Sequence, residues 1–127
     1  MPFSLKDLVQ EALKTVPEIS PDRLRDELSG PRDFLLIDVR EPDEFAAGRL
    51  PGAIPIPRGW IEVKADLEHH KRDPQLADRN RRLVLYCGGG NRSALAARAL
   101  QLMGFTRVES LAEGWTGWTQ RGHPVER

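Results

Sequence analysis

"LVLYCGGGNRSALAARAL", residues 83–100, contains the chain's only cysteine and decides the fold that we expect. Apolar and aromatic residues lead into Cys87, and three glycines and Asn91 follow it. The pattern predicts a buried strand over 82–87, a loop almost without side chains, and a helix from Asn91 that ends at Gly104. Because ligands of open α/β sheets bind at the carboxyl ends of strands, this loop is the candidate site.

The same alternation of strand and helix patterns continues on both sides of this stretch. Apolar runs predict strands at 33–40, 52–57 and 105–111, the second of them at a sheet edge because prolines interrupt it. Amphipathic or capped segments predict helices at 3–15, after Ser20, after Glu41, at 59–70 and in the aromatic tail. The alternation predicts an α/β fold, a mainly parallel sheet with helices on both faces.

Composition narrows the class of protein. The 127 residues suit one domain, and their 19 basic and 19 acidic side chains give a formal net charge of zero. This balance does not fit general binding to nucleic acid or to an anionic membrane. No run approaches the roughly 20 apolar residues of a membrane span, and the start of the chain has no signal-peptide core. One cysteine excludes an internal disulfide, so we expect a cytoplasmic protein. We expect no metal site, because the adjacent His69 and His70 would not face each other on a helix and the only cysteine belongs to the loop. We also expect no cofactor.

The loop after Cys87 favours an anion. Glycines at 88–90 allow positive φ and close backbone approach, so consecutive N–H groups can turn inward as an anion-binding nest. The following helix N-terminus and Arg92 add positive potential at the same place. These surroundings favour a thiolate, and a persulfide on Cys87 would suit the cup in charge and size. The alternative is that Cys87 is a small buried apolar residue and the glycines form an ordinary turn.

Three stretches together resemble the rhodanese domain, a sulfurtransferase module. "CGGGNRS" (87–93) is similar to the family's Cys-x-x-Gly-x-Arg-Ser/Thr loop, "IDVREPDEFAAGRLPGAIPIP" (37–57) to its upstream signature, and "EGWTGWTQRGHPV" (113–125) to its carboxyl-terminal signature. Two positions depart from the family pattern: Arg49 stands where histidine is usual, and Glu113 where a glycine is common. Both departures lie outside the cysteine loop, and we expect them to alter packing near the pocket rim.

The resemblance implies a three-layer fold with a five-stranded sheet, in which 18–127 form the rhodanese domain after an N-terminal helical extension, 1–17. It implies transfer of a sulfane sulfur from thiosulfate or a persulfide donor to cyanide or another thiophilic acceptor, as in thiosulfate:cyanide sulfurtransferases. A protein persulfide could serve as donor or acceptor. Cys87 would be the nucleophile and sulfur carrier, and Arg92 and the amides of residues 88–92 would stabilise its anion. The implied loop residues are Gly88, Gly89, Gly90, Asn91 and Ser93, the last capping the helix or bonding the loop.

Two other classes of protein compete with this interpretation. Tyrosine phosphatases and arsenate reductases also place a cysteine in an anion-binding loop that ends in arginine, but five residues separate their cysteine and arginine. Four residues separate Cys87 from Arg92, so we favour sulfur transfer. A non-catalytic binding module of the same family usually lacks the cysteine, and its presence here favours an enzyme.

Four residues outside the loop are candidates for the pocket wall. Asp38 and Arg40, spaced by two at a strand end, point the same way; they either order the pocket or form a structural ion pair, and we favour the ion pair. Arg58, after another strand, either attracts an anionic donor at the pocket mouth or is an ordinary surface arginine. Trp60 is a candidate for the pocket entrance.

The predicted first helix lies outside the resemblance. Its apolar stripe either packs on its own domain or serves a partner or a second copy of the chain, and both monomer and homodimer remain open.

Overall fold

The computed structural model describes residues 2–127, so Met1, the first residue of the predicted extension, lies outside the described residues. The strands are Glu18–Ile19 (β1), Phe34–Asp38 (β2), Ile54–Pro55 (β3), Arg82–Tyr86 (β4) and Val108–Leu111 (β5). The α-helices are Leu5–Leu13 (α1), Pro21–Leu28 (α2), Pro42–Ala47 (α3), Ile61–Ala65 (α4), Asn91–Leu102 (α5) and Gly114–Gln120 (α6). Short 3₁₀ turns occupy Arg58–Trp60 and Pro74–Leu76. Among the described residues, no helix combines the length and apolarity that a membrane crossing needs.

The five strands form one sheet in the order β1-β5-β4-β2-β3, and every pairing is parallel. The predicted α/β fold is therefore confirmed, including the edge position of the proline-containing strand β3. All of β2 and nearly all of β4 are buried. Strands covered on both faces read as continuous apolar runs, which is why their sequences do not alternate.

Helices cover both faces of the sheet and bury two separate clusters of apolar side chains. One face packs against α1, α4 and α5, and its cluster includes Leu85, Cys87 and Leu100. The opposite face packs against α2 and α6, and its cluster includes Tyr86 and Trp118. Neighbouring residues of β4 and its extension thus point to opposite layers, as a strand period of two requires.

Helix α1 packs back onto its own domain. Ala12 is buried, and Thr15, just beyond the helix, exchanges hydrogen bonds with Gln101 of α5: Thr15 Oγ1 donates to Oε1 at 2.8 Å, and Nε2 donates to the Thr15 carbonyl at 2.8 Å. Two apolar residues, Leu5 and Leu8, nevertheless stay largely exposed. Only part of the apolar stripe of α1 is therefore used in the domain.

The helix predicted over 59–70 is wrong in length, because α4 ends at Ala65. The Asp66 side chain accepts a hydrogen bond from the Glu68 amide at 2.9 Å, a local turn that competes with helix continuation. After Ala65 the sequence also lacks an apolar face to bury, since His69 to Arg72 are polar. The segment instead runs over the surface in turns to Pro74.

We expect Leu100→Ala to lower the free energy of unfolding by about 2–5 kcal/mol, because it deletes a fully buried side chain and leaves a cavity. Leu102→Ala is the matched control in the same helix, since Leu102 is 73% exposed and the change should stay within about 0.5 kcal/mol. Urea denaturation of both variants measures the difference. Equal losses in the two variants would contradict the described packing of α5.

Candidate active site

Cys87 follows β4 directly and lies at the carboxyl edge of the sheet, with 1% of its surface exposed. The chain then turns through three glycines into α5. Gly90 is the residue before the helix and has φ +107°, a backbone conformation that favours glycine. The predicted sequence of strand, bare loop and helix is therefore present around the thiol.

The sulfur of Cys87 takes the place of an N-cap side chain for α5. The first amides of a helix have no partner in a preceding turn and need another acceptor. Gly90 occupies the N-cap position without a side chain, and Sγ accepts from the Gly90 amide at 3.1 Å and from the Ser93 amide at 3.3 Å. Sγ therefore lies at the positive end of a 12-residue helix, where negative charge is stabilised.

The loop carbonyls turn away from the sulfur and cap a second helix. The Trp115 amide donates to the Cys87 carbonyl at 2.8 Å, and the Thr116 amide donates to the Gly88 carbonyl at 3.0 Å. In a planar trans peptide the C=O and the next N–H point in opposite directions. Because both carbonyls face α6, the N–H groups of Gly88 and Gly89 point away from α6.

This contact brings two backbones very close at the start of α6. Gly114 has φ +54°, and a Cβ on it would lie 2.4 Å from the Cys87 carbonyl oxygen. Glu113 has φ +64° and is the one non-glycine residue with positive φ within 2–127. Its carboxylate accepts hydrogen bonds from Arg121 Nη1 and Nη2, each at 3.0 Å, which link the strained turn to the end of α6.

Arg92 lies over the loop with its guanidinium bound to a carboxylate. Nη1 donates to Glu44 Oε1 at 2.8 Å and Nη2 to Oε2 at 3.3 Å. Nη2 also covers Gly88, since a Cβ there would lie 2.9 Å from it. The Arg92 hydrogen bonds lower the pKa of Glu44, and the same bonds raise the pKa of Arg92, so both groups are charged near neutral pH. The arginine charge at the loop is thus offset by a carboxylate.

Two hydroxyl groups without exposed surface lie beneath the sulfur. Ser93 Oγ is 3.4 Å from Cys87 Sγ and 2.8 Å from Ser110 Oγ. The interaction with Ser110 joins α5 to β5 directly under the loop. The site therefore combines two backbone amides with a pair of linked hydroxyls.

The loop residues predicted from sequence occupy different positions around the sulfur. Cys87, Gly90 and Ser93 are in mutual hydrogen-bond contact. Gly89 and Asn91 are exposed at the rim. Among residues 2–127, the amides that reach Sγ are those of Gly90 and Ser93, and the second of these falls just outside the predicted range 88–92.

Asp38 and Arg40 lie on the opposite face of the sheet from Cys87, beside Tyr86. Arg40 Nη2 donates to Asp38 Oδ2 at 2.8 Å and to the Gly48 carbonyl at 2.6 Å, and both side chains are almost fully buried. Burial is the largest single influence on Arg40 and lowers its pKa, but the hydrogen bonds and charge of Asp38, with a contribution from Tyr86, together outweigh it and the net shift is upward. This arrangement favours the structural ion pair over a wall of the Cys87 site.

Arg58 and Trp60 lie in the turn after β3, beyond the carboxyl end of the sheet. The Arg58 amide donates to the Val39 carbonyl at 2.9 Å, while Nη1 donates to Glu62 at 3.0 and 3.1 Å. Trp60 is 43% exposed, and Lys64 stands over its ring at 5.7 Å. Roles for these residues at the pocket mouth stay predictions.

Local sequence patterns did not predict two features of the site, the Glu44 carboxylate and the Ser110 hydroxyl. Glu44 lies within the upstream family signature at 37–57, but a glutamate in the first turn of a helix is common, so nothing marked it as the partner of Arg92. Ser110 gave one usable signal, since it shares a strand face with Val108 and so places a hydroxyl among apolar residues. Arg49, one of the departures, packs over the Phe45 ring at 4.9 Å and pairs its backbone with Glu126.

A large surface cavity does not coincide with this site. It has a volume of about 860 Å³ and lies at the amino end of β4 and β5, with Arg82 and Glu109 in its lining. Arg82 is held there by Glu27 and Glu109, a structural network that raises the pKa of Arg82. The backbone amides around Sγ, and not cavity size, locate the candidate site.

A parallel α/β sheet with a cysteine whose sulfur caps the next helix defines a class of anion-loop cysteine proteins. Within that class, the family model of the rhodanese-like domain matches residues 20–121. The chain belongs to the rhodanese-like domain family, as its motifs predicted.

Two relatives named as sulfurtransferases agree with this assignment, and a solved structure shares the fold. A sulfurtransferase of Allochromatium vinosum is 33% identical over 87% of this chain and 94% of its own length. A human thiosulfate:glutathione sulfurtransferase is 30% identical over 83% of this chain and 95% of its own. A Rhodopseudomonas palustris structure of unknown function, named as a possible tyrosine phosphatase, has a TM-score of 0.93 at 30% identity, covering 99% of this chain and 96% of that one.

We expect Gly114→Ala to lower the free energy of unfolding by about 2–4 kcal/mol, because the added Cβ meets a backbone carbonyl in a left-handed conformation. Gly30→Ala is the control, since its added Cβ meets no atom within 4 Å. Chemical denaturation of the two variants gives the comparison. A Gly114→Ala protein as stable as Gly30→Ala would refute the close approach of α6 to the loop.

Proposed function

We propose that this protein is a rhodanese-type sulfurtransferase that carries sulfur as a persulfide on Cys87. The observation that carries the proposal is the set of donors around Sγ: the amides of Gly90 and Ser93 at 3.1 and 3.3 Å, at the N-terminus of α5. Donors fixed in place by the backbone stabilise an anionic sulfur without reorganisation. The names of the two sulfurtransferase relatives support the same activity.

The reaction takes two displacement steps. The Cys87 thiolate attacks the outer sulfur of thiosulfate, the S–S bond of the donor breaks, and sulfite leaves with the electron pair. A nucleophilic acceptor such as cyanide or a thiolate then attacks the outer sulfur of the persulfide, and Cys87 leaves as a thiolate. Each step forms one bond to the transferred sulfur and breaks one, so no outside oxidant or reductant is needed.

The outer sulfur of the persulfide would extend from Sγ into the cup above the loop. Amides of residues 88–92 and the dipole of α5 would stabilise its charge. Cys87 is almost fully buried, so the site suits small donors and acceptors, or a thin extended segment of a protein that carries the persulfide. Thiosulfate as donor and a thiol or cyanide as acceptor are the substrates we propose.

Intact-protein mass spectrometry after incubation with thiosulfate tests the proposal. We expect a gain of one sulfur atom that cyanide removes, with thiocyanate as product. Cys87→Ser is the control and should gain nothing, because an alcohol oxygen at this position cannot form the persulfide.

A contrary result has a specific form. If no sulfane-sulfur donor loads Cys87 and the protein hydrolyses an aryl phosphate, the site is a phosphatase, as the name of the R. palustris structure suggests for that protein.

We expect Glu44→Gln to lower KM for thiosulfate about two- to fivefold with little change in kcat, because the variant frees the Arg92 charge for an anionic donor. The pair is more than one-third exposed, so the effect should shrink at high ionic strength. Steady-state kinetics at low and high salt measures both.

Asp43→Asn is the matched control, since it removes a charge from the same helix and Asp43 makes no ion pair with Arg92 in the described residues. The KM of Asp43→Asn should be closer to that of the original protein than the KM of Glu44→Gln is. A raised KM in Glu44→Gln would mean that Glu44 holds Arg92 in its working position, and would overturn the expectation.

A further inference from the structure

Ser110 lies in β5 directly beneath the Cys87 loop, and the proposed reaction gives it no role. Its side chain has no exposed surface. Its backbone amide donates to the Pro17 carbonyl at 3.0 Å and so serves the sheet. The hydroxyl, in contrast, points to the site: Ser110 Oγ lies 2.8 Å from Ser93 Oγ.

The number of protons on the two hydroxyls determines which serine donates in the hydrogen bond between Ser110 and Ser93. Each serine hydroxyl has one proton to donate and can accept other hydrogen bonds. Within residues 2–127, Ser93 Oγ is the one hydrogen-bond partner of Ser110 Oγ. A buried donor without an acceptor costs about 1–3 kcal/mol, and Ser110 is fully buried. Ser110 therefore donates to Ser93.

The direction of this bond determines what Ser93 can do. Since Ser93 Oγ accepts from Ser110, its own proton is left for one of two neighbours, the Gly90 carbonyl at 3.3 Å or Cys87 Sγ at 3.4 Å. A hydrogen bond to an ionised acceptor is stronger than one to a neutral carbonyl. The Ser93 proton therefore goes to the sulfur when Cys87 is a thiolate.

We propose that Ser110 is a positioning residue whose hydroxyl, by donating to Ser93 Oγ, directs the Ser93 proton onto the anionic sulfur of Cys87. Hydrogen bonds in a chain polarise one another, so the Ser110 bond also strengthens the bond from Ser93 to sulfur. The inference rests on the proposed function in one respect, that Cys87 reacts as an anion. Within residues 2–127, Ser110 itself makes no hydrogen bond to the sulfur and acts through Ser93.

The pH dependence of Cys87 alkylation by iodoacetamide tests the proposal on protein that carries no persulfide on Cys87. We expect Ser110→Ala to shift the midpoint upward by about half a pH unit, which reduces the thiolate fraction below the midpoint about threefold. Ser93→Ala should shift it further, because it removes the donor itself. The double variant should match Ser93→Ala, since Ser110 acts only through Ser93.

A second pair of variants separates the hydroxyl from packing. Ser110→Thr and Ser110→Val have nearly the same shape, and only threonine keeps the donor. We expect the threonine variant to keep the original midpoint and the valine variant to shift like Ser110→Ala. Thermal unfolding of each variant measures any loss of stability that the two larger side chains share. If Ser110 had a purely structural role, stability would fall but the alkylation midpoint would not shift.

Failure of the role of Ser110 and failure of the proposed function give different results. An unchanged midpoint in Ser110→Ala and Ser110→Val, or a further upward shift of the double variant beyond Ser93→Ala, would overturn the role of Ser110. Sulfur loading from thiosulfate is measured on the same original protein. Failure to load sulfur would refute the proposed function, whereas the alkylation profile judges Ser110 separately.

Discussion

The hydrogen bonds from Trp115 and Thr116 to the carbonyls of Cys87 and Gly88 are the constraint on which the rest of the site depends. They supply acceptors for the first amides of α6, and they turn the loop carbonyls outward. Peptide planarity then turns the Gly88 and Gly89 amides the other way. The same loop closes the N-terminus of α5 with a sulfur atom in place of a capping side chain. One short segment thus caps the N-termini of two helices. Moving either helix would shift this segment and leave amides of the other helix without acceptors.

The buried ion pair on the far side of the sheet supports this arrangement. Arg40, held by Asp38, lies 4.6 Å from the centre of the Trp115 ring, and the Trp115 amide holds the Cys87 carbonyl. A charged pair in the core is costly unless its hydrogen bonds are satisfied, and Arg40 also donates to the Gly48 carbonyl. Although the pair does not face Cys87, it fixes the ring of the residue that orients the loop.

Positive potential at the sulfur comes mainly from fixed backbone dipoles. The one arginine of the loop, Arg92, is bound to Glu44, so its charge is offset. Amides at 3.1 and 3.3 Å and the end of α5 remain, and these need no counter-ion and no reorientation. A site built this way suits a small anion on the sulfur, and the bond to Glu44 limits how much of the Arg92 charge reaches the loop.

The sequence alone was enough for the parallel α/β fold, the buried strand before Cys87, the glycine loop and the helix that begins at Asn91, because these follow from local patterns of apolar residues, glycine and proline. It was not enough for the length of α4, where a side-chain turn at Asp66 competed with the helix. Only the tertiary structure decided that Glu44 binds Arg92, that Asp38 and Arg40 face away from the thiol, and that Ser110 lies under Ser93. Each of these contacts joins residues from elements distant in the chain or depends on which sheet face a layer covers. Their geometry therefore arises from packing, which no local pattern encodes.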